Sequence, residues 1–385
     1  MKALRNYIDK IKPNVEEGGK FHYMLSTFEA FETFLFVPRT VTKKGSHIRD
    51  AIDLKRTMFM VVVALIPALL FGMWNVGYQH NLSIGAEGTL VSNFFYGFWL
   101  VVPLIIVSYV VGLGTEFVFA QLRGHEVNEG YLVSGFLIPL IVPVTTPLWM
   151  VALATIFAVI IGKEVFGGTG MNIMNPALIA RAFLFFAYPS NMSGDKVWIT
   201  EKADAFSGAT PLGQLMTATE KVQLPSVSDA FFGFIPGSVG ETSTFAILLG
   251  AIILLWTGIA SWRVMFSVFV GGFAMGWLFN VVGANHYMLD VPAYYHLILG
   301  GFAFGAVFMA TDPVTAAQTN TGKYIYGLLI GIMAVLIRVL NPAYPEGMML
   351  AILLLNVFAP LIDHYVVQAN IKRRVKRAKL ITVNH

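Results

Sequence analysis

The sequence contains no cysteine and few charged residues. Of its 385 residues, 12% are Asp, Glu, Lys or Arg, about half of the roughly 25% found in soluble domains. Without cysteine the chain cannot form disulfides, thiolate metal sites or iron–sulfur clusters. With so few charges, a water-soluble protein of this size could not cover its surface. The net charge of +4 lies mostly at the two ends, which excludes the basic surface of a nucleic-acid-binding protein.

What the sequence does contain is apolar: 56% of its residues are hydrophobic and the mean hydropathy is +0.68. A membrane-spanning helix needs about 20 apolar residues, and fewer where it is broken or faces protein. We therefore predict an all-α polytopic membrane protein with about ten transmembrane helices, the short ones being half-helices. The candidate segments are Thr57 to Trp74, Phe94 to Val111, Tyr131 to Val144, Leu148 to Gly162, Ala177 to Tyr188, Phe245 to Ile259, Val264 to Val282, His296 to Ala310, Tyr324 to Leu340 and Met348 to Val367.

The basic residues predict the orientation in the membrane. Residues 1–56 contain eleven Lys and Arg, and the tail after Asp363 contains six. Basic residues favour the cytoplasmic side, so both termini are predicted to be cytoplasmic, which requires an even number of spans. The predicted regions are a cytoplasmic N-terminal region (1–56), a first five-helix repeat (57–188), an outer loop (189–244), a second five-helix repeat (245–367) and a basic cytoplasmic tail (368–385).

Five spans on each side of the polar gap predict two inverted repeats with broken helices. Pro143-Val144-Thr145 follows the third span, and Pro313-Val314-Thr315 follows the eighth. Asn175-Pro176-Ala177 opens the fifth span, and Asn341-Pro342-Ala343 is predicted to open the tenth. An Asn followed by Pro is typical of a helix N-terminus, so both halves are predicted to contain a helix that starts within the membrane.

Two Asn-Pro-Ala motifs also suggest a different class of protein, a channel for water or urea. In such channels two half-helices point their N-termini at the pore. A water channel carries a selectivity arginine after its second motif, whereas this chain continues with Tyr344, Pro345 and Glu346. The channel remains an alternative at this point.

The outer loop contains Ser207-Gly208-Ala209-Thr210. Ser and Gly favour turns, so a plain surface turn would explain this tetrapeptide. It also resembles a flavin attachment motif in which a threonine hydroxyl forms a phosphoester with FMN, installed from FAD by a dedicated transferase. That resemblance makes Thr210 the expected attachment residue.

Four further stretches narrow the resemblance, which covers essentially the whole chain. They are Ser46 to Asp50, Lys163 to Gly170, Arg181 to Pro189, and Asn341 to Leu350. All four resemble the B subunit of the Na⁺-translocating NADH:quinone oxidoreductases, a family shared with the D subunit of the Rnf ion-translocating ferredoxin:NAD⁺ oxidoreductases. The Rnf relative shares the attachment motif but usually lacks so long a cytoplasmic N-terminus.

The resemblance implies a membrane subunit of a redox-driven sodium pump in the bacterial inner membrane, with the flavin loop in the periplasm. It implies covalent FMN, non-covalent riboflavin, ubiquinone as electron acceptor, and the A, C, D, E and F subunits as partners. This chain has no cysteine for iron–sulfur ligation and no glycine fingerprint for NADH, so both functions are expected in the partner subunits.

A second flavin between the outer FMN and an inner quinone would relay electrons across the membrane. Asn172 and Asn175 lie at the first helix break, and Asp312 lies at the corresponding place in the second half. We assign these three residues to riboflavin, partly because the family suggests it. Simple helix capping by the asparagines is an equally good explanation.

Carboxylates close to the membrane are costly and are often functional. Glu116, Glu164 and Asp363 lie at the inner ends of spans two, four and ten, and Glu29 lies in the N-terminal region. We predict that these four oxygen ligands serve Na⁺ uptake. The alternatives are that Glu164 pairs with Lys163 and that Asp363 is solvated.

The sequence says less about the quinone site and about metal binding than about the flavins. Phe21 to Phe36 has apolar residues at helical spacing and could wall a quinone groove or dock a partner subunit. The family's quinone region has a Gly-Gly pair where this chain reads Gly112-Leu113-Gly114. His125, Glu126 and Glu129 occupy a short inner loop where solvation is expected, so we predict no metal site.

Overall fold

The computed structural model describes most of the chain, and every regular element in the described ranges is helical. His125, Glu126 and Glu129 lie outside these ranges. The described residues are 2–15, 19, 21, 24–36, 42, 44–48, 53–123, 130–203, 206–217, 222–283, 290–341 and 344–383. The helices in chain order are α1 (Lys2–Ile11), α2 (Leu25–Leu35), α3 (Leu54–Ile84), α4 (Leu90–Arg123), α5 (Tyr131–Ile141), α6 (Leu148–Gly162), α7 (Pro176–Ala187), α8 (Pro211–Thr217), α9 (Val227–Phe232), α10 (Thr244–Trp256), α11 (Trp262–Val282), α12 (Tyr295–Ile298), α13 (Phe302–Phe304), α14 (Asn320–Leu340) and α15 (Met348–Val383).

The predicted all-α polytopic architecture is confirmed. In the described residues six helices are long and apolar enough to cross a membrane: α3, α4, α6 with the turn after it, α11, α14 and α15. Three shorter apolar helices, α5, α7 and α10, coincide with the predicted third, fifth and sixth segments. The eighth segment is divided, because α12 ends at Ile298 and the chain resumes as α13 and a π-helical turn at Gly305–Met309. The predicted basic tail continues α15 as helix through Val383.

Polar caps explain where several apolar helices begin. Asn175 precedes Pro176, and its side-chain oxygen accepts hydrogen bonds from the backbone N–H groups of Ala177 (2.9 Å) and Leu178 (3.4 Å). This is the arrangement predicted for an Asn-Pro helix start. The equivalent prediction for the second motif is wrong, because Asn341 ends α14 and α15 begins only at Met348. The described part of the chain therefore does not form the paired half-helices of a water channel.

Helix pairing repeats in the two halves. In the first half α4 packs on α6 and α6 on α7; in the second, α11 packs on α14 and α14 on α15. The halves meet where α3 contacts α10 and α7 contacts α15, which are equivalent helices, but the extensive packing of α3 on α4 has no comparable contact between α10 and α11. The α11–α14 contact is close because Cβ atoms at Gly271 and Gly331 would lie 2.3 and 2.1 Å from carbonyl oxygens of the opposite helix.

The segment between α7 and α10 is folded onto the helix ends. The Thr145 hydroxyl donates to the carbonyl of Val197 at 2.8 Å, and the Asn75 amide donates to that of Ile235 at 3.0 Å. The backbone N–H of Gly240 donates to the carbonyl of Leu140 at 2.8 Å. These bonds fix the segment that contains the attachment motif against α3 and α5.

Candidate functional site

The Ser207–Thr210 tetrapeptide is held in place by Asp195. One carboxylate oxygen of Asp195 accepts the Gly208 N–H at 2.7 Å and the Ser207 hydroxyl at 3.0 Å. Lys202 pairs with the other oxygen and also donates to the carbonyl of Phe206 at 2.8 Å. The hydrogen bond from Lys202 lowers the pKa of Asp195 below its usual range, so the carboxylate is charged at any pH well above about 4.

Gly208 is required by a close backbone approach. A Cβ at this position would lie 2.6 Å from the carbonyl oxygen of Asp195, far inside van der Waals contact. Gly208 is therefore explained by this chain's own geometry.

Thr210 is the residue before α8. Its Oγ1 accepts the backbone N–H of Gly213 at 3.1 Å, and its carbonyl accepts that of Gln214 at 2.9 Å. The side-chain amide of Gln214 donates to the carbonyl of Ala209 at 2.8 Å. Thr210 is half-buried, so its hydroxyl is fixed in position and still reachable from outside.

A cavity of about 590 Å³ opens beside Thr210. This volume is within the roughly 300–1,000 Å³ of small-molecule sites. Aromatic and other apolar side chains cover part of its wall, and a few polar groups converge on it. Its lining includes Arg181, Phe185, Met192, Asp195, Trp198, Ser207, Thr210, Gln214, Met216, Tyr344 and Glu346.

A buried charge cluster lies in the wall of this cavity. The Arg181 guanidinium donates to Glu241 at 2.6 Å and to Glu346 at 2.7 Å. Glu241 also accepts the hydroxyl of Ser238 at 2.5 Å. Arg181 is on α7 in the first half, and Glu346 precedes α15 in the second, so the cavity lies where the two halves meet.

Arg338 supports the same region from α14. It is completely buried and donates to the backbone carbonyls of His296 (2.7 Å), Leu299 (3.1 Å) and Glu346 (3.3 Å). Two of these carbonyls, of His296 and Leu299, lie at the break between α12 and α13. Because the helix does not continue there, they receive no hydrogen bond from a following helical turn.

The residues predicted for riboflavin come together at the N-terminal end of α7. The Asn175 amide donates to Asp312 at 3.4 Å, across 137 positions of sequence. Asp312 also accepts the Val314 N–H at 3.1 Å and the Thr315 hydroxyl at 3.0 Å. Asn172 lines the same cavity and donates to the carbonyl of Met174 at 3.3 Å. The enclosed space is only about 80 Å³.

Two of the predicted sodium ligands form ion pairs near the C-terminal ends of α4 and α6. Lys163 pairs with Glu116, and each is 4% exposed. Arg123 donates to the Glu164 carboxylate at 3.1 Å and to the Glu164 carbonyl at 2.8 Å. The alternative pairing of Glu164 with Lys163 is wrong, since neighbouring residues point in different directions from the backbone.

The other two predicted ligands lie elsewhere. Asp363 accepts the N–H groups of Gln318 (2.6 Å) and Thr319 (2.9 Å), so it anchors the start of α14 instead of being only solvated. Glu29 lies on α2, where its carbonyl accepts the hydroxyl of Thr33 at 2.6 Å. Within the described ranges no three His, Asp or Glu side chains come together as a metal site.

The predicted quinone region contacts the inner part of α4. On α2, Ala30 packs against Ala120 and Phe117, while Phe31 keeps 57% of its surface exposed. Earlier in α4, a Cβ at Gly112 would overlap the ring of Tyr131, whereas a Cβ at Gly114 would have no atom within 4 Å. Only the first glycine of the Gly-Leu-Gly stretch is therefore required by packing.

Sequence reasoning missed Asp195 and the partners of Arg181. Asp195 stands 13 residues before Gly208, in a loop whose path no periodicity reveals. Arg181 and Glu346 are both in stretches that carried the family resemblance, and that shared membership was the one available signal. Their pairing across 165 positions becomes visible only in the fold.

The chain matches the family described as NQR2, RnfD, RnfE over residues 41–372. It is 51% identical to the B subunit of the Na(+)-translocating NADH-quinone reductase of Chromohalobacter salexigens, with 97% of both chains covered. Proteins of the same name from Ectopseudomonas mendocina and Pseudomonas aeruginosa are 50% and 49% identical, with 97% of this chain and 99% of each relative covered. These relatives are named as subunits of an enzyme complex. With a family match over most of its length and relatives aligned nearly end to end, this chain belongs to the NQR2, RnfD, RnfE family.

Proposed function

We propose that this chain is the B subunit of a Na⁺-translocating NADH:quinone oxidoreductase and carries FMN on Thr210 through a phosphoester. Electrons from NADH, which another subunit oxidises, pass through this chain to ubiquinone and drive Na⁺ export. The observation that carries the proposal is the fixed, reachable Thr210 hydroxyl at the wall of a cavity of about 590 Å³. The relatives, which are named as the B subunit of the reductase, favour this assignment over the D subunit of an Rnf-type complex.

The residues around Thr210 fit a covalently bound flavin. FMN, when bound, supplies reversible electron acceptance, and the protein supplies position and electrostatics. Attachment from FAD joins the Thr210 oxygen to the FMN phosphorus, breaks the pyrophosphate bond and releases AMP, and the hydroxyl proton is lost. Asp195 holds the loop so that the hydroxyl is presented, and the aromatic wall offers Phe185 and Trp198 to a flat ring.

Riboflavin is proposed at Asn172, Asn175 and Asp312, at the N-terminal end of α7. The cavity volume of about 80 Å³ is well below the roughly 300 Å³ of the smallest ligand pockets, so the arrangement seen here does not hold the group. In this arrangement Asn175 caps α7, and Asp312 accepts the backbone N–H of Val314.

Sodium uptake is proposed at the inner carboxylates Glu116 and Glu164, with Asp363 and Glu29 as further ligands. Glu116 and Glu164 each have a cationic side chain as partner, and Asp363 holds two backbone N–H groups. Na⁺ must therefore displace Lys163 or Arg123 to be bound there, because a carboxylate buried with a cation is already neutralised. Uptake is then coupled to a movement of α4 against α6.

The remaining assignments follow the same proposal. The chain spans the bacterial inner membrane with both termini in the cytoplasm and the Thr210 loop in the periplasm. Its partners are the A, C, D, E and F subunits and the flavin transferase. The exposed apolar side chains of α2, such as Phe31, wall the quinone site on the cytoplasmic side.

In-gel fluorescence tests the attachment. The full chain is produced together with the transferase and run on a denaturing gel, on which covalent flavin remains fluorescent. We expect a fluorescent wild-type band and no signal from Thr210→Ala. The matched control is Thr200→Ala in the same loop, which should remain fluorescent. Equal signals from Thr210→Ala and the wild type would contradict the proposal, as would a dark wild-type band when the transferase is shown to be active.

Replacing Gly208 with alanine tests the role of loop shape. We expect the fluorescence of Gly208→Ala to fall at least tenfold, because the new Cβ would collide with the Asp195 carbonyl and displace the loop. Ala209→Gly leaves that contact untouched and serves as the control. Band fluorescence, normalised to protein stain, measures both. Full attachment in Gly208→Ala would show that the loop geometry does not matter.

A further inference from the structure

The Arg181–Glu346 ion pair lies in the wall of the cavity beside Thr210. Both side chains line the cavity, and they are 6% and 13% exposed respectively. Arg181 is held from behind by Glu241, which is not among the lining residues. The cavity wall therefore presents one positive and one negative group side by side.

A ring tethered at Thr210 that enters the cavity shares it with this pair. Thr210 and the pair belong to the wall of one cavity, and Phe185, Trp198 and Tyr344 supply aromatic surface to the same wall. The ring of Phe185 contacts that of Tyr344 with centroids 4.6 Å apart. A flat aromatic ligand that enters this cavity is thus brought against the surface that contains Arg181 and Glu346.

Buried charges act strongly on a neighbouring redox group. Effective dielectric screening inside a protein is much weaker than in water, so a charge in the cavity wall changes the cost of adding an electron nearby. The Asp195–Lys202 pair at the loop differs, since 47% of the Asp195 side chain is exposed and water screens it. The pair in the wall is therefore the stronger electrostatic influence on the cavity.

We propose that Arg181 and Glu346 set the reduction potential of the flavin carried on Thr210. This inference rests on the proposed attachment of FMN. Arg181 favours each added electron and Glu346 opposes it, so the two are positioning residues with opposite effects on one equilibrium. Arg181 lies on α7 in the first half of the chain and Glu346 precedes α15 in the second. A change in how the two halves pack would therefore alter the reduction potential of the flavin.

The test is a redox titration of the purified, flavin-loaded full chain, followed by flavin absorbance, with Thr210→Ala as the spectral blank. Glu346→Gln keeps an acceptor for Arg181 and removes the negative charge, so we expect it to raise the midpoint potential. The expected change is about tenfold in the reduction equilibrium, which is 59 mV for a one-electron couple. Arg181→Gln is expected to lower the potential by a similar amount, and Arg181→Lys to restore most of it.

Opposite shifts separate this role from a structural one. A loosened cavity would change both variants in the same direction, and such a result overturns the proposal, as does an unshifted Glu346→Gln. If Arg181→Gln does not fold, Glu346→Gln against Glu346→Asp decides, since only the first changes the charge. A dark band on the denaturing gel for the wild type is a failure of FMN attachment, which is distinguishable from an attached flavin with an unshifted potential.

Discussion

Replacing Lys163 with methionine is expected to lower the free energy of unfolding by about 3–5 kcal/mol, the range found when one partner of a buried ion pair is removed. Glu116 and Lys163 are each 4% exposed near the C-terminal ends of α4 and α6. Methionine keeps the apolar stem and removes the cation that neutralises Glu116. The measurement is the apparent melting temperature of the purified full chain in detergent.

The double variant Glu116→Gln with Lys163→Met is the control. It removes both charges, so we expect it to recover most of the lost stability, because a neutral pair of similar shape avoids the desolvation cost. If Lys163→Met has the same apparent melting temperature as the wild type, the Lys163–Glu116 pair is not buried in the membrane protein. If the double variant is stable but the complex no longer exports Na⁺, the result supports Glu116 as a sodium ligand.

The second large effect is expected at Arg338. Arg338→Leu removes the donor to the backbone carbonyls of His296 and Leu299 and one of the two donors to that of Glu346, which also accepts the Met348 N–H. Each buried acceptor left without a donor costs about 1–3 kcal/mol. For two such acceptors we expect a loss of about 2–6 kcal/mol, measured by thermal unfolding in detergent and by the monodisperse yield.

Arg338→Lys is the comparison for this position. A lysine ammonium can reach one or two of the carbonyls but cannot span all three as the planar guanidinium does. We expect it to be intermediate between the wild type and Arg338→Leu. If the wild type, Arg338→Lys and Arg338→Leu are equally stable, other groups must donate hydrogen bonds to the carbonyls at the break between α12 and α13.

Hydropathy predicted much of this fold because it reports a local requirement. A run of apolar residues must be helical in a membrane, so all ten predicted segments contain helix. The Asn175 cap was predictable because a cap involves residues only two or three positions apart. The same motif failed at Asn341, where α14 continues to Leu340 and the helix start lies further on.

The site could be predicted only in part. Thr210 was identified from a tetrapeptide that resembles an attachment motif, which is local information. The cavity beside it depends on Arg181 meeting Glu346, 165 positions away, and no pattern within one helix predicts such a pair. Lys163 was weighed against its neighbour Glu164, but it pairs with Glu116 on another helix, because helix packing decides which side chains face each other.

The central claim is that Thr210 carries the flavin, and peptide mass spectrometry tests it most directly. Trypsin cleavage after Lys202 and Lys221 releases residues 203–221, which contain Ser207, Thr210 and two further threonines. From membranes with active transferase, we predict that this peptide carries one FMN and that fragmentation places it on Thr210. An unmodified peptide, or a flavin on Ser207, Thr217 or Thr219, would contradict the account.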